Sequence, residues 1–182
     1  MGLQNILPRE TATGRVHVVI ETPAGSRNKY KYDPLLDIFR ISRVLPRGAV
    51  FPYDFGSIPG TRAEDGDALD VLVLHVAPAF PGCLVTVRLI GVLHAEQRED
   101  GKVLQNDRLI GVADTPVNPA RIGDLRELDE EDLRAIEHFF SSYNAFQGRS
   151  FHIKSRGGAG EAMQTLERAI QAHSARSSRP AP

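Results

Sequence analysis

Four carboxylates fall within seven residues of this chain, at positions 64–70, where an apolar run begins. The run, residues 69–76, has the length and composition of a buried β-strand, and Asp65-Gly66-Asp67 before it favours a tight turn. Asp70 would then stand at the start of the strand. Carboxylates this dense repel one another unless they are solvated or share a cation. The stretch therefore predicts either an exposed acidic turn or a site for a hard divalent ion such as Mg²⁺.

The composition limits what the rest of the chain can be. Its 182 residues, 41% hydrophobic and 25% charged, predict one globular domain over residues 1–173 and a disordered polar tail over 174–182. The formal net charge of −1 gives no reason to expect nucleic acid or a membrane as a partner. No transmembrane run or signal peptide is found, and the single cysteine, Cys83, cannot form an internal disulfide. We therefore expect a reducing, cytoplasmic location.

Short strand patterns separated by glycine and proline fill the first two thirds of the chain. They cover residues 16–21, 28–32, 38–44, 69–76, 83–95 and 108–113. The last third changes to a helical period, which predicts a helix over 129–146 with Asp129 as its N-cap and a second, peripheral helix over 161–172. Residues 150–155 alternate like an edge strand. These patterns predict a β-barrel with helices packed against its outside.

Four cationic side chains stand in or beside these strand patterns: Lys29, Lys31, Arg43 and Arg108. If they converge with the acidic turn, one site would hold metal ions on one side and an oligoanion on the other. The alternative is a solvated strand face whose cations serve solubility. Val76 stands where an EF-hand loop requires a glutamate, so that calcium motif is excluded. There is no Walker A loop, dinucleotide-binding glycine pattern or nucleophile-elbow serine.

Several blocks of this sequence resemble the soluble family I inorganic pyrophosphatases. The strongest similarity is Asp65-Gly66-Asp67-Ala68-Leu69-Asp70, set against that family's Asp-Gly-Asp-Pro-x-Asp signature. Other blocks extend the resemblance over residues 16–155: Val19-Ile20-Glu21 with Pro23, Lys29-Tyr30, Arg43, Pro81-Gly82, Gly91-Val92-Leu93, and Phe139-Phe140 with Tyr143.

The resemblance implies a fold and an activity. The fold would be α+β and mainly β, an OB-like closed β-barrel with two helices packed on the outside. The activity would be Mg²⁺-dependent hydrolysis of inorganic pyrophosphate to two phosphates, with Mn²⁺ as another usable ion, by a homo-oligomeric enzyme.

Roles carry over to the matching positions as implications of the resemblance. Asp65 and Asp70 would hold the tightest metal ion, Asp67 would be the general base that takes a proton from the activated water, and Glu21 would orient that water. The phosphate oxygens would be bound by five side chains: Lys29, Lys31, Arg43, Arg108 and Tyr143. Asp107 would be a further metal ligand. Because strand side chains alternate between faces, it could replace an acid at position 106 only through a bulge or register shift.

The sequence departs from the family in the second half of the site. Residues that the family has as acids, tyrosines or lysine are here Lys31, Phe51, Phe55, Gln97, Asn106 and Asn144. We therefore expect at most two protein-held metal ions, with the Lys31 ammonium in place of one of them. Asp54 or Asp100 could instead restore the missing ligands. Two other functions stay open: hydrolysis of another small phosphoanhydride or phosphoester, and phosphate binding without turnover.

Overall fold

The computed structural model describes residues 3, 6–74, 77–114 and 121–177. In these ranges the strands are β1 (Val16–Thr22), β2 (Asn28–Asp33), β3 (Ile38–Val44), β4 (Asp54–Ile58), β5 (Leu69–Leu74), β6 (Leu84–Glu99), β7 (Lys102–Gln105), β8 (Arg108–Ala113) and β9 (Ser150–Gly158). The α-helices are α1 (Glu130–Ala145) and α2 (Ala159–Ser177). Neither of these two helices is both long and apolar enough to cross a membrane.

Five of the strands pair in a ring. β1 pairs with β4, β4 with β5, β5 with β8, β8 with β6, and β6 again with β1. The β5–β8 pairing is parallel and the other four are antiparallel. Strands β7 and β9 both pair with β6, while β2 and β3 form a separate two-stranded hairpin. The mainly β, OB-like architecture with two helices is therefore the one that was predicted.

The buried side chains divide between two faces of the sheet. In β5, Leu69, Val71 and Val73 belong to one cluster and Leu72 to the other, as a period of two residues requires. Helix α2 adds three buried residues to the first cluster: Ala162, Leu166 and Ala169. Helix α1 adds three to the second, aromatic-rich cluster: Leu133, Ile136 and Phe140. Because Leu166 is fully buried, α2 is part of the core and not the peripheral helix that was predicted.

Strand β4 was not predicted, and Gly56 at its centre explains its close fit against β1. A Cβ atom on Gly56 would lie 2.2 Å from the carbonyl oxygen of Val19, so a side chain there would force the two strands apart. The polar strand β7 was also missed; it extends β6 as a hairpin.

The predicted ends of several elements need correction. Helix α2 continues to Ser177, so the tail expected from residue 174 begins at least four residues too early, and residues 178–182 lie outside the described part. The last two residues of the predicted strand 69–76 lie outside it as well. Asp129 does precede α1, but its side chain makes no capping hydrogen bond.

Candidate active site

A cavity of about 560 Å³ opens between the ring and the β2–β3 hairpin, on the face that carries the aromatic cluster. Nine of the ten predicted site residues line it: Glu21, Lys29, Lys31, Arg43, Asp65, Asp67, Asp70, Arg108 and Tyr143. Segments that lie far apart in the sequence therefore converge on one space. The tenth predicted residue, Asp107, does not line the cavity.

The turn before β5 and the first residues of that strand form the acidic wall of the cavity. Gly66 has a φ of 93°, which lets the turn reverse tightly between Asp65 and Asp67. The Asp67 N–H donates to Asp65 Oδ1 at 3.1 Å, and Asp70 stands on β5 on the face away from the first cluster. Burial raises the pKa of Asp65, and the charges of Asp70 and Asp67 raise it further. Burial and the two neighbouring carboxylates therefore disfavour the ionised form of Asp65.

The β2–β3 hairpin brings two lysines to these carboxylates. Lys31 Nζ lies 2.9 Å from Asp67 Oδ2, and this hydrogen bond raises the Lys31 pKa. Lys29 Nζ lies 3.4 Å from Glu21 Oε2 and 3.8 Å from the centre of the Phe55 ring. Burial raises the pKa of Glu21, although the Lys29 charge opposes that effect. The two lysines thus share one face of β2, as predicted.

Arg108 at the start of β8 contacts a carboxylate, an amide and two aromatic rings. Its Nη1 lies 2.7 Å from Asp70 Oδ2 and also donates to the Asn106 side-chain oxygen. The guanidinium carbon lies 5.8 Å from the centre of the Phe140 ring and 5.5 Å from that of Phe151. With only 8% of its side chain exposed, Arg108 is a fixed positive group in the floor of the cavity.

Neutral amides line the wall next to Arg108. Asn106 Nδ2 donates to Gln97 Oε1 at 2.9 Å, and both residues are buried. Asn144 is buried too, and its Nδ2 donates to the Phe140 carbonyl at 2.8 Å. At these positions, where the sequence departs from the pyrophosphatase pattern, the side chains bind each other, the backbone or Arg108.

Several cavity residues were missed by the sequence analysis, and two of them contact acidic side chains. Ser57 on β4 donates to Glu21 Oε1 at 3.2 Å, and Arg149 follows α1 with its Nε 2.7 Å from Glu99 Oε1. Neither lies in a motif or in a predicted element, so no local signal marked it.

Asp107 requires a correction, because its carboxylate faces away from the cavity that Asn106 and Arg108 line. Its Oδ1 accepts from the Ala95 N–H at 3.1 Å, and its Oδ2 lies 2.9 Å from His94 Nδ1. The side chains of residues 106, 107 and 108 alternate through the junction between β7 and β8, so no bulge brings the Asp107 carboxylate to the cavity. The structure therefore does not bring Asp107 to the cavity, and its predicted role as a metal ligand stays a prediction.

The acidic wall fits a hydrated divalent ion better than a protein cage. No group of three or more His, Cys, Asp or Glu side chains in the described residues is arranged to hold a metal by itself. Mg²⁺, however, keeps several waters and binds through one or two carboxylates, and Asp65 and Asp70 offer that number in the cavity. Asp54 and Asp100 do not line it, so they do not restore missing ligands.

Comparisons with known proteins give matches along most of the chain. A profile of the inorganic pyrophosphatase family matches residues 18–174. The inorganic pyrophosphatase of Thermus thermophilus is 42% identical over 134 residues, 74% of each chain. That of Saccharolobus solfataricus is 36% identical over 167 residues, 90% of this chain and 95% of the relative. A crystal structure of the T. thermophilus protein matches with a TM-score of 0.87 at 34% identity, covering 96% of this chain and 99% of that one.

Proposed function

The chain belongs to the inorganic pyrophosphatase family, a family of hydrolases that act on diphosphate, and we propose that its cavity hydrolyses pyrophosphate to two phosphates with Mg²⁺. The observation that carries this assignment of the site is the convergence of Asp65, Asp67 and Asp70 with Lys29 and Arg43 in one cavity. Phosphoryl transfer requires carboxylates that bind a metal ion and, next to them, cationic side chains that bind phosphate, and this cavity offers both.

Asp65 and Asp70 would hold the divalent cation. When bound, it supplies Lewis-acid chemistry: it neutralises phosphate charge and lowers the pKa of a water molecule. Glu21, tied to Lys29 and Ser57, orients the attacking water.

Asp67 is the base in this scheme. Its side chain is 65% exposed at the rim, where a carboxylate oxygen can accept a proton from the water. The water oxygen forms a bond to one phosphorus, and the bridging P–O bond breaks with its electron pair on the leaving phosphate. The proton from the water goes to Asp67.

The opposite side of the cavity stabilises the phosphates. Lys29 and Arg43 are cross-strand partners in the hairpin, so their charges can act on the same oxygen atoms. Arg108 adds a fixed charge from the floor, and the Tyr143 hydroxyl can donate from α1. Together these groups offset the charge that develops on the leaving phosphate.

The direct test is phosphate release from pyrophosphate with and without Mg²⁺. Release that depends on Mg²⁺ is expected. Preferential release from another small phosphoanhydride or phosphoester would contradict the assigned substrate, and phosphate binding without release from any of them would contradict catalysis.

Lys31 is expected to limit the number of metal ions, because its ammonium lies at the acidic wall, 2.9 Å from Asp67 Oδ2. At about 4 Å and an effective dielectric of about 20, the repulsion between a fixed ammonium and a divalent ion weakens binding of that ion by several kcal/mol. Because Lys31 is exposed, solvent reduces this repulsion here. Titration with Mn²⁺ should give at most two ions per chain for the wild type and a larger number for Lys31→Glu.

The matched control for this titration is Lys102→Glu, because Lys102 is exposed on β7 and does not line the cavity. It should leave the number of ions at the wild-type value. Three or more ions in the wild type, with no increase in Lys31→Glu, would contradict the role of Lys31.

The proposal extends to location and assembly. A cytoplasmic enzyme fits the single free Cys83. A homo-oligomer fits the apolar side chains that the hairpin leaves exposed, among them Leu35 and Ile41.

A further inference from the structure

The junction between β7 and β8 interrupts the pairing of β6 next to the cavity. Strand β6 pairs with β7 through Glu96↔Gln105 and with β8 from Leu93↔Arg108 onward. Between these pairs, the Asn106 N–H still donates to the Ala95 carbonyl at 2.8 Å. The Ala95 N–H donates to a side chain instead, the carboxylate of Asp107, at 3.1 Å.

The Asp107 carboxylate has further polar contacts. Its Oδ2 accepts from Gln105 Nε2 at 3.0 Å and lies 2.9 Å from His94 Nδ1. The Nε2 atom of His94 in turn lies 3.4 Å from Glu161 Oε2 on α2. Only 6% of the Asp107 side chain is exposed, so solvent competes little with these contacts.

We propose that Asp107 is a positioning residue that fixes the β7–β8 junction and thereby holds Arg108 in place at the cavity. This inference rests on the proposed function, since Arg108 is assigned there to the phosphates. Residues 106 and 108 face the cavity because 107 faces the other way. The Asp107 carboxylate accepts from the Ala95 N–H in place of a main-chain carbonyl. It thereby fixes the position of the backbone at the β7–β8 junction, from which the Arg108 side chain extends.

Asp107→Asn tests the idea with little change of shape. If the amide oxygen keeps the Ala95 N–H, the new NH₂ group faces the NH₂ group of Gln105, and the junction loses its second acceptor. We expect KM for pyrophosphate to rise roughly tenfold with a smaller change in kcat, as for a binding group that is slightly misplaced. We also expect the Arg108 Nε–H group, rigid by NMR relaxation in the wild type, to become mobile.

A double-mutant cycle with Arg108→Lys separates positioning from a general loss of stability. If Asp107 acts through Arg108, Asp107→Asn should change KM much less in the Arg108→Lys background. The control is Glu96→Gln, an acid on the adjacent strand β6, which pairs with Lys154 outside the cavity; it should leave KM unchanged. If Asp107→Asn does not fold, Gln105→Ala, at an exposed position, should raise KM in the same direction by a smaller factor.

Two results would overturn the proposal. One is an equal KM change in both backgrounds; the other is an Arg108 Nε–H group that stays rigid in the folded variant. A wild type that releases no phosphate from pyrophosphate would refute the proposed function instead. In that case the NMR measurement, which needs no ligand, still decides the role of Asp107.

Discussion

Replacing Asp67 by asparagine should lower the turnover number about 10²-fold or more while the protein stays folded, because an amide has the shape of the carboxylate but cannot take a proton. The turn is held by main-chain groups that the change leaves intact: the residue-67 carbonyl accepts from the Ala63 N–H at 2.8 Å, and the residue-67 N–H donates to Asp65 at 3.1 Å. Steady-state phosphate release at saturating Mg²⁺ and pyrophosphate measures the loss, with Tm and Mn²⁺ affinity recorded alongside. Both should stay close to the wild type.

Glu64→Gln is the matched control for this change. Glu64 belongs to the same acidic turn but does not line the cavity, so its amide variant should keep the wild-type rate. A near-normal rate in Asp67→Asn would mean that another group takes the proton.

Asp70→Asn should remove most of the metal-dependent activity and weaken Mn²⁺ binding, because Asp70 presents a carboxylate from a buried strand. The same change removes the negative charge that Arg108 pairs with at 2.7 Å and leaves one amide oxygen as the acceptor. A charge-assisted hydrogen bond is stronger than one to a neutral amide, so Tm should fall. The contacts of Arg108 with Asn106 and with two aromatic rings remain, and the fold should persist. Calorimetric titration with Mn²⁺ and thermal unfolding measure the two effects separately.

Asp54→Asn makes the same substitution on the neighbouring strand and isolates the effect on stability. Asp54 is buried outside the cavity and accepts from the Ala24 and Ala79 N–H groups, each at 2.8 Å. Its amide variant should lower Tm and leave the Mn²⁺ affinity unchanged. If Asp70→Asn bound Mn²⁺ as tightly as Asp54→Asn does, Asp70 would not be a metal ligand.

The parts of the site that were predictable from the sequence lie in short continuous segments. The spacing of Asp65, Asp67 and Asp70 defines a turn followed by a strand, and the alternation along β2 puts Lys29 and Lys31 on one face. In such segments local geometry alone orders the side chains.

The parts that were not predictable depend on how distant segments pair. Strand β4 lies in a stretch rich in proline and glycine, and it is a strand because β1 and β5 pair with it on either side. The contacts of Asp107 with Ala95 and His94 depend on where the pairing of β6 passes from β7 to β8, which periodicity does not encode. Ser57 on β4 and Arg149 in the connection between α1 and β9 reach the cavity for similar reasons, because tertiary packing sets the positions of both segments.

We expect the two sides of the cavity to open at different free energies, because they belong to different parts of the fold. Asp70 and Arg108 stand on ring strands, and separating those strands exposes the core. Lys29 and Arg43 stand on a hairpin whose outer strand, β3, is exposed along most of its length. A two-stranded hairpin is marginally stable alone, so it can detach by local unfolding while the ring stays closed. A substrate that contacts both the hairpin and the ring stabilises the docked hairpin, because its binding free energy opposes local opening. We then expect product release to follow local opening of the hairpin, which does not require global unfolding.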